Sequence, residues 1–474
     1  MTDPDRPLRL DAPREEALEH AAKLVAEAWR SFDRPRPEEP PLDERLRALL
    51  QAGLPRDPVS VHEALDDAFR ALDESIAQPR PRYFAFIGSS GLEIGALADL
   101  LAATYDMNLA VDARAATVLE QQAVRWVGEF IGYPATNGAF TSGGTISNMT
   151  ALAAAREWAL PKSRSAGLGG MSVAVYASAE VHYSITRAVE LLGIGSDQLR
   201  DIPIDDEHRM RPDLLAETID RDVADGVTPV AVVATAGTTL TGAVDPIAPI
   251  ADICERRGIW FHVDGAYGLP AASVVPERFV GVERADSVSV DAHKWLYVPK
   301  ACSVVLVREQ GALSEAFAHE EGYLPHQRHE LHAADITLEY SRPFRALKLW
   351  LAFRAHGAGQ FREAIARNLA EAQLLHRTAS ARPDFQTFDA PPHLSIVPLR
   401  HAPPDVADLD AHNQSLADAI QADGRVYLAS ALIEGQVWLR PCFVNYRTTD
   451  DDVLAILDVA AELGEHLAMG SEKP

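Results

Sequence analysis

The stretch 286-DSVSVDAHKWLYVPKACSVVLV-307 contains two short valine-rich runs separated by a polar segment. Ser287–Val290 and Ser303–Val307 are typical of strands buried on both faces of a parallel sheet. Further runs of this kind occur upstream, at Val173–Tyr176, Val230–Thr235 and Ile259–Val263. Helices are predicted between the runs, for example at 210–225 and 246–257. This alternation predicts an α/β fold with a mostly parallel central sheet.

The sequences that flank this region have different patterns. Residues 14–32 and 59–76 show the apolar spacing of amphipathic helices, and Ser60 with Glu63 forms a capping-box pattern. After Arg345 a long helix is predicted through Leu347–Ala355, followed by strands at Leu394–Pro398, Val426–Ala429 and Val437–Arg440. We therefore expect a helical N-terminal arm for dimerisation at 1–85, a large α/β domain at 86–345 and a small C-terminal α+β domain at 346–474.

The chain has 474 residues and a formal net charge of −25, from 44 Lys and Arg against 69 Asp and Glu. So acidic a chain repels phosphate backbones, and we expect no nucleic-acid partner. No apolar run approaches the ~20 residues of a membrane-spanning helix, and the first residues lack the apolar core of a signal peptide. The three cysteines, Cys254, Cys302 and Cys442, form no CxxC pair. These features predict a cytoplasmic protein without a disulfide framework, a metal site or a membrane partner.

A polar, glycine-rich turn leads directly into an alanine-rich helix in 141-TSGGTISNMTALAAARE-157. Glycines let a ligand approach the backbone closely, and a helix N-terminus presents free N–H groups and a partial positive charge. The pattern is typical of a phosphate cradle, although it matches neither the nucleotide P-loop nor the dinucleotide fingerprint. A capped helix after a tight turn, without any ligand, is the alternative interpretation.

Two charged residues stand where predicted strands end. In 259-IWFHVDGAYGLP-270, Asp264 ends an apolar strand, where the ligands of parallel sheets bind. Its carboxylate could pair with a cationic ring nitrogen, or bind a metal ion if His262 and other ligands converge on the same place. The alternative interpretation is an aspartate that caps the next turn. Lys294, flanked by His293 and Trp295, lies inside an apolar segment. Burial is expected to lower the pKa of Lys294 and favour a nucleophilic amine, whereas the alternative is a lysine that snorkels to solvent.

A phosphate cradle, a strand-end carboxylate and a strand-end lysine thus follow one another in one predicted domain. Pyridoxal 5′-phosphate needs these groups to anchor its phosphate, to pair with its ring nitrogen and to bind it covalently. The supporting motifs are TSGGTISN, HVDGAYG, DAHKW, RYFAF (82–86), SRPFRALKLW (341–350) and LRPCFVNYRTT (439–449). With these motifs the chain resembles the group II pyridoxal-phosphate-dependent amino-acid decarboxylases, which include aromatic-L-amino-acid, glutamate and diaminobutyrate decarboxylases. The resemblance implies the aspartate aminotransferase-like fold (fold type I), a homodimer, and pyridoxal 5′-phosphate bound by the domain at 86–345.

The resemblance also implies roles for individual residues. The expected catalytic residues are Lys294, which carries the cofactor, Asp264, which keeps the ring nitrogen protonated, and His182, which stacks on the ring. The other expected cofactor contacts are Gly144, Thr145 and His293 at the phosphate, Thr235 and Ala266 against the ring, and Asp291 in a supporting role. For His182, an ordinary histidine at the start of a surface helix is the alternative.

One segment departs from the family pattern. The family places a proton-donating tyrosine on a mobile loop before the FRALK helix, and the matching segment, 319–344, has none at the expected place. The donor therefore stays open among Tyr323, Tyr340, His326, His329 and His332, with a histidine as the first choice.

The expected reaction releases CO2 and a primary amine from an aromatic or medium-sized apolar L-amino acid. Phe84, Phe86 and Asn108 are the expected lining of the side-chain pocket. The alternatives are an oxidative deaminase that releases an aldehyde after decarboxylation, and a decarboxylase of an acidic or diamino acid on the same fold. A non-catalytic cofactor-binding regulator is disfavoured, because the acidic arm offers no basic DNA-binding module.

Overall fold

The computed structural model describes residues 8–34, 43–110, 112–319 and 333–470. The α-helices are α1 (Arg14–Phe32), α2 (Glu44–Gln51), α3 (Val61–Asp73), α4 (Glu93–Tyr105), α5 (Ala115–Ile131), α6 (Gly144–Ala159), α7 (Ser163–Ala166), α8 (Tyr183–Leu191), α9 (Pro212–Ala224), α10 (Ile247–Arg257), α11 (Ala292–Trp295), α12 (Ala312–Phe317), α13 (Ala346–Ser380), α14 (Leu409–Asp423) and α15 (Asp450–Gly470). Short 3₁₀ helices lie at Ser196–Gln198, Leu269–Ser273, Pro276–Arg278, Val282–Arg284 and Ala333–Asp335. The strands are β1 (Asn137–Thr141), β2 (Val173–Ser178), β3 (Leu199–Ile202), β4 (Thr228–Thr235), β5 (Trp260–Asp264), β6 (Ser287–Val290), β7 (Ser303–Val307), β8 (Phe385–Thr387), β9 (Leu399–His401), β10 (Ser430–Ile433) and β11 (Gln436–Leu439).

Seven strands form one sheet in the order β1-β7-β6-β5-β4-β2-β3. Strands β6, β5, β4, β2 and β3 pair in parallel, whereas β7 runs antiparallel to both β6 and β1. The predicted α/β fold with a mostly parallel sheet is therefore confirmed, and all five predicted strands of this region are present. The prediction missed β1 and β3, the two edge strands, because their sequences NGAFT and LRDI lack the continuous apolar run of a doubly buried strand.

The topology brings the predicted motifs to one edge of this sheet. Because β7 is antiparallel to both of its neighbours, β1 has the same direction as the parallel strands. The carboxyl ends of β1, β2, β4, β5 and β6 therefore open on the same side, where ligands of α/β sheets bind. At this edge Asp264 is in register with Thr235 on one neighbouring strand and with Ser289 on the other.

The second sheet is antiparallel, with the order β10-β11-β9-β8. Two strand predictions are wrong in this region. The segment Leu394–Pro398 forms one isolated bridge, between Ile396 and Cys442, and β9 begins only at Leu399. The segment Val426–Ala429 likewise precedes the ladder, which begins at Ser430. Both segments are apolar because they are buried, and burial without a ladder produces the same sequence pattern as a strand.

Helix α13 links the cores of the two sheets. Its backbone leaves the helical conformation at Gly357, where φ is 71°. Before this kink, Leu349 and Phe353 belong to the core of the seven-stranded sheet; near the helix end, Ala372 and Leu375 belong to the core of the smaller sheet. The change of packing partner thus takes place within α13, and the expected boundary between residues 345 and 346 stays a prediction.

The N-terminal helices α1 and α3 contact each other and match the predictions at 14–32 and 59–76. The hydroxyl of Ser60 accepts a hydrogen bond from the Glu63 amide (3.2 Å), as a capping residue does. Helix α3 has no buried residue, and Leu72 on it is 72% exposed. These helices therefore present apolar surface that a single chain leaves uncovered. None of the helices in the described ranges combines the length and apolarity needed to cross a membrane.

Candidate active site

A cavity of ≈ 330 Å³ lies at the carboxyl edge of the seven-stranded sheet. All nine residues that the sequence predicts as cofactor contacts line it: Gly144, Thr145, His182, Thr235, Asp264, Ala266, Asp291, His293 and Lys294. They come from the ends of several strands and from the starts of α6, α8 and α11, which explains how positions far apart in sequence meet. The volume lies within the range of small-molecule and cofactor sites, about 300–1,000 Å³.

The glycine-rich turn forms one wall of the cavity. The Thr141 hydroxyl bonds the Ser147 hydroxyl (2.8 Å), which in turn bonds Ser303 on β7 (2.7 Å). A Cβ atom at Gly144 would lie 3.0 Å from Oδ2 of Asp291 and 3.1 Å from Cβ of Ala266. A side chain at position 144 would therefore press against the Asp291 carboxylate and Ala266, between the turn and the strand ends.

Asp264, the last residue of β5, is held by three donors. Its Oδ2 accepts a hydrogen bond from Nδ2 of Asn148 (2.8 Å), and its Oδ1 accepts from the Ala266 amide (3.1 Å) and the Ser289 hydroxyl (3.2 Å). The side chain is 5% exposed. These three hydrogen bonds fix the orientation of the carboxylate at the edge of the cavity.

Lys294 is paired with Asp291 in the cavity. Its Nζ lies 3.0 Å from Oδ2 of Asp291. The sequence-based expectation of a lowered lysine pKa is wrong. Burial does act to lower the pKa of Lys294, but the charges of Asp291 and Asp264, together with the hydrogen bond to Asp291, outweigh it and raise the pKa. In the cofactor-free protein Lys294 is therefore an ammonium ion with a counter-ion.

Two histidines flank this pair. Nδ1 of His182 accepts hydrogen bonds from the Ser184 hydroxyl (2.9 Å) and the Ser184 amide (3.2 Å), so that His182 caps α8. Nδ1 of His293 donates to the Cys302 carbonyl (2.8 Å). Burial lowers the pKa of both imidazoles, although Asp264 opposes this at His182 and Asp291 opposes it at His293. Both rings are therefore neutral at physiological pH.

The cavity fits pyridoxal 5′-phosphate. It combines a cationic lysine, a buried carboxylate, a helix N-terminus with glycines and a flanking imidazole, which is the set of groups this cofactor needs. Among the described residues the buried Thr235 hydroxyl has no hydrogen-bond partner, and a bound ligand would supply one. The amide of Thr235 is fixed from behind by Oδ2 of Asp245 (2.7 Å). No cluster of three or more His, Cys, Asp or Glu side chains suited to a metal occurs in the ranges that the structure describes.

The structure does not bring the predicted side-chain pocket to this cavity. Phe84 is 1% exposed and packs against Phe443 in the core of the smaller sheet. Phe86 is 55% exposed, and Asn108 is exposed near Ser341. None of the three lines the cavity of a single chain. Phe84 lies elsewhere because its amide and carbonyl bond Tyr427 and Cys442, which turn its side chain into the C-terminal core.

The candidates for the proton donor are only partly described. Tyr323, His326, His329 and His332 lie outside the described residues. Tyr340 is 44% exposed, and Nε2 of His319 lies 3.2 Å from the Arg164 guanidinium. The identity of the donor therefore stays a prediction.

Sequence reasoning missed several polar residues that shape the site. Asn148 and Ser184 contact Asp264 and His182 directly, and Lys300 lines the cavity with its Nζ 2.7 Å from Oε1 of Gln78. A signal for Asn148 was available, because a polar residue within the alanine-rich face of a predicted helix is rarely buried without a partner.

Comparisons with known proteins agree with this geometry. Residues 43–400 match the family model of the pyridoxal-dependent decarboxylase conserved domain. The aromatic-L-amino-acid decarboxylase of Bacillus atrophaeus is 30% identical over 439 residues, which cover 90% of each chain. The cysteine sulfinic acid decarboxylase of Mus musculus is 31% identical over 369 residues, which cover 74% of each chain. The crystal structure of Oryza sativa TDC with PLP and tryptamine superposes with a TM-score of 0.90 at 25% identity, covering 98% of this chain and 99% of that one. The chain therefore belongs to the pyridoxal-dependent decarboxylase family and is a pyridoxal-phosphate-dependent carboxy-lyase that acts on amino acids.

Proposed function

We propose that Lys294, Asp264 and His182 are the catalytic residues of this decarboxylase and that its products are CO2 and a primary amine. The observation that carries the proposal is that these three side chains, from three separate segments, line one cavity together with the glycine-rich turn. In this proposal Gly144, Thr145 and His293 hold the phosphate, Thr235 and Ala266 lie against the ring, and Asp291 supports Lys294.

The residues of this chain divide the work between binding and charge stabilisation. Pyridoxal phosphate, when bound, supplies the sink for the electrons that the departing CO2 leaves behind. Lys294 would hold the cofactor through its amine. Asp264, fixed by three donors, would pair with the protonated ring nitrogen, a preorganised stabilisation of the charge that develops. His182 would lie beside the cofactor and help to exclude water.

The first candidate substrate is an aromatic or medium-sized apolar L-amino acid. Tyr183, which lines the cavity beside His182 and is 57% exposed, offers an aromatic surface to such a side chain. The similarity to the Bacillus atrophaeus aromatic-L-amino-acid decarboxylase supports the same class.

The second candidate substrate is an acidic amino acid, and Lys300 favours it. Lys300 lines the cavity, and its ammonium group donates a hydrogen bond to the neutral amide of Gln78. Among the described residues, no carboxylate forms an ion pair with Lys300. A substrate with a carboxylate or sulfinate side chain would supply the missing counter-ion. The similarity to the Mus musculus cysteine sulfinic acid decarboxylase supports this class.

We also propose a cytoplasmic homodimer with an N-terminal arm at 1–85, a cofactor-binding domain at 86–345 and a small domain at 346–474. The exposed apolar side chains of Leu18, Leu72 and Leu100, on α1, α3 and α4, support an arm that covers a second chain. The three free, buried cysteines fit a reducing compartment.

The deciding experiment is a substrate panel with two product assays. The purified holoenzyme is given tryptophan, tyrosine, phenylalanine, leucine, glutamate, aspartate, cysteine sulfinate and 2,4-diaminobutyrate, and both amine and aldehyde are quantified. Equal amounts of amine and CO2 from an aromatic or apolar substrate would support the proposal. Aldehyde as the main product would identify an oxidative deaminase instead. Lys300→Met separates the substrate classes, because it should reduce turnover of acidic substrates and spare apolar ones.

A further inference from the structure

A continuous line of buried hydrogen bonds runs behind Asp264. Nε1 of Trp260 lies 2.9 Å from Oγ of Ser287, which lies 2.9 Å from Nδ1 of His262. Nε2 of His262 lies 3.1 Å from Oδ1 of Asn148, whose Nδ2 lies 2.8 Å from Oδ2 of Asp264. None of the five side chains is more than 5% exposed, so water does not compete for these bonds.

The two ends of the line determine the direction of every bond in it. The Trp260 indole can only donate, and at the other end the Nδ2 group of Asn148 donates to Oδ2 of Asp264. Ser287 therefore accepts from Trp260 and donates to Nδ1 of His262, and Nε2 of His262 donates to the Asn148 carbonyl. This requires a neutral His262, and burial lowers its pKa to about 4, although the charge of Asp264 acts in the opposite sense. The amide nitrogen of Asn148 must then face Asp264.

The second hydrogen of the same amide group reaches the other side of the site. Nδ2 of Asn148 also donates to Oγ of Ser184 (2.9 Å), whose hydroxyl donates to Nδ1 of His182. Because Nδ1 of His182 accepts, the proton of this neutral imidazole lies on Nε2. One amide thus contacts the carboxylate assigned to the ring nitrogen and, through Ser184, orients the histidine assigned to the ring face.

We propose that Asn148 is a positioning residue that holds Asp264 and His182 in a fixed relation to the cofactor ring, and that His262 sets the orientation of the Asn148 amide. This rests on the proposed roles of Asp264 and His182. If His262 lost its Nε2 proton donor, the Asn148 carbonyl would be unpaired and the amide could turn. Asp264 would then face an oxygen instead of a donor, which weakens its pairing with a protonated ring.

The test compares two substitutions at His262. His262→Gln keeps a side-chain N–H that can reach the Asn148 carbonyl, whereas His262→Leu fills similar space without a donor. We measure the equilibrium dissociation constant of pyridoxal phosphate and the visible circular dichroism of the bound cofactor, which reports how its ring is held. His262→Leu should weaken cofactor binding by about tenfold and reduce the dichroic band, whereas His262→Gln should stay close to wild type. Equal losses in both variants would overturn the proposal, because they would show that only the shape of the side chain matters.

Asn148→Leu supplies the direct comparison, with Thr150→Val as its matched control. Thr150 is as buried on the same helix, but its hydroxyl bonds only the Ile146 carbonyl among the described residues. Asn148→Leu should behave like His262→Leu, with kcat lowered more than KM changes, and Thr150→Val should not. Unchanged affinity and dichroism in Asn148→Leu would also contradict the proposal. If Asn148→Leu does not fold, the His262 pair decides alone. The cofactor dissociation constant and the dichroism need no substrate, so a protein that binds cofactor normally but decarboxylates nothing would refute the proposed function and leave this inference testable.

Discussion

Lys294 and the buried Asp291 form an ion pair, with Nζ of the lysine 3.0 Å from Oδ2 of the aspartate three residues earlier. Asp291 is 2% exposed, and burial alone would raise its pKa, but the positive charge of Lys294 and the hydrogen bond that it donates outweigh burial and lower it. The same pairing raises the pKa of Lys294. In the cofactor-free site the amine of Lys294 is therefore protonated.

We expect the ion pair between Lys294 and Asp291 to determine how covalent capture of the cofactor by Lys294 depends on pH. A lysine must be neutral to attack an aldehyde, and its pKa is raised, so capture by the cofactor-free wild type should increase as pH rises. Asp291→Asn removes the negative charge that raises the pKa of Lys294. The lysine amine therefore becomes neutral at a lower pH in this variant. The midpoint of the pH profile, followed by stopped-flow absorbance, should fall by about one unit or more. Asp220→Asn, which removes the exposed partner of Arg257, is the control; a midpoint that is unchanged or higher in Asp291→Asn would contradict this.

The close approach at Gly144 predicts a steric effect of a single methyl group. In Gly144→Ala the new Cβ would meet the Asp291 carboxylate at 3.0 Å, and the buried Asp291 has little freedom to move. Affinity for pyridoxal phosphate should fall by about tenfold or more. Gly143→Ala is a matched control, because its nearest neighbour would be a His293 atom at 3.9 Å and its backbone is extended. Equilibrium titration with cofactor checks both variants, and equal affinities would show that the turn has spare room.

We expect His262 to cause part of the loss of folding stability of the cofactor-free protein at acidic pH. Its pKa is about 4 in the folded state and 6.5 in the reference state, so the unfolded chain binds the additional proton between these values. The free energy of unfolding should therefore drop as pH falls from 6.5 towards 4, by about 2 kcal/mol at pH 4.5 from this group. His262→Gln should lose that part of the pH dependence, as measured by urea unfolding at pH 7 and 4.5. If His262→Gln retained the full wild-type slope, the assignment of a neutral His262 would fail.

The N-terminal arm predicts the consequence of a deletion. Removing residues 1–75 takes away α1, α2 and α3, whose apolar side chains include the exposed Leu18 and Leu72. If the arm covers a second chain, the truncated protein should aggregate or lose its dimer, because the surface beneath the arm becomes exposed. Size-exclusion chromatography with light scattering checks this. A monodisperse, active monomer would refute the proposed assembly.

The parts of the fold that could be predicted from sequence are those in which local pattern and burial agree. The valine-rich runs at β6 and β7 are buried on both faces, and their ends were predicted without error. The edge strand β1 was missed, since Asn137 and Gly138 carry no apolar signal. The cavity residues were identified by the motifs that contain them, but the sign of the Lys294 pKa shift depends on the nearby carboxylate charges. Likewise, no spacing rule shows that Asn148 bridges Asp264 and Ser184, since those contacts span 116 and 36 positions.

Borohydride reduction of the holoenzyme, followed by peptide mapping, tests directly whether Lys294 is the lysine that binds the cofactor. Reduction makes the bond between cofactor and lysine permanent, and the labelled peptide identifies the residue. The structure offers two lysines in the cavity, Lys294 paired with Asp291 and Lys300 bonded to Gln78. We expect the label on Lys294, and Lys294→Ala should bind pyridoxal phosphate without a covalent link and show no turnover. A label on Lys300, or an unchanged covalent yield in Lys294→Ala, would contradict it.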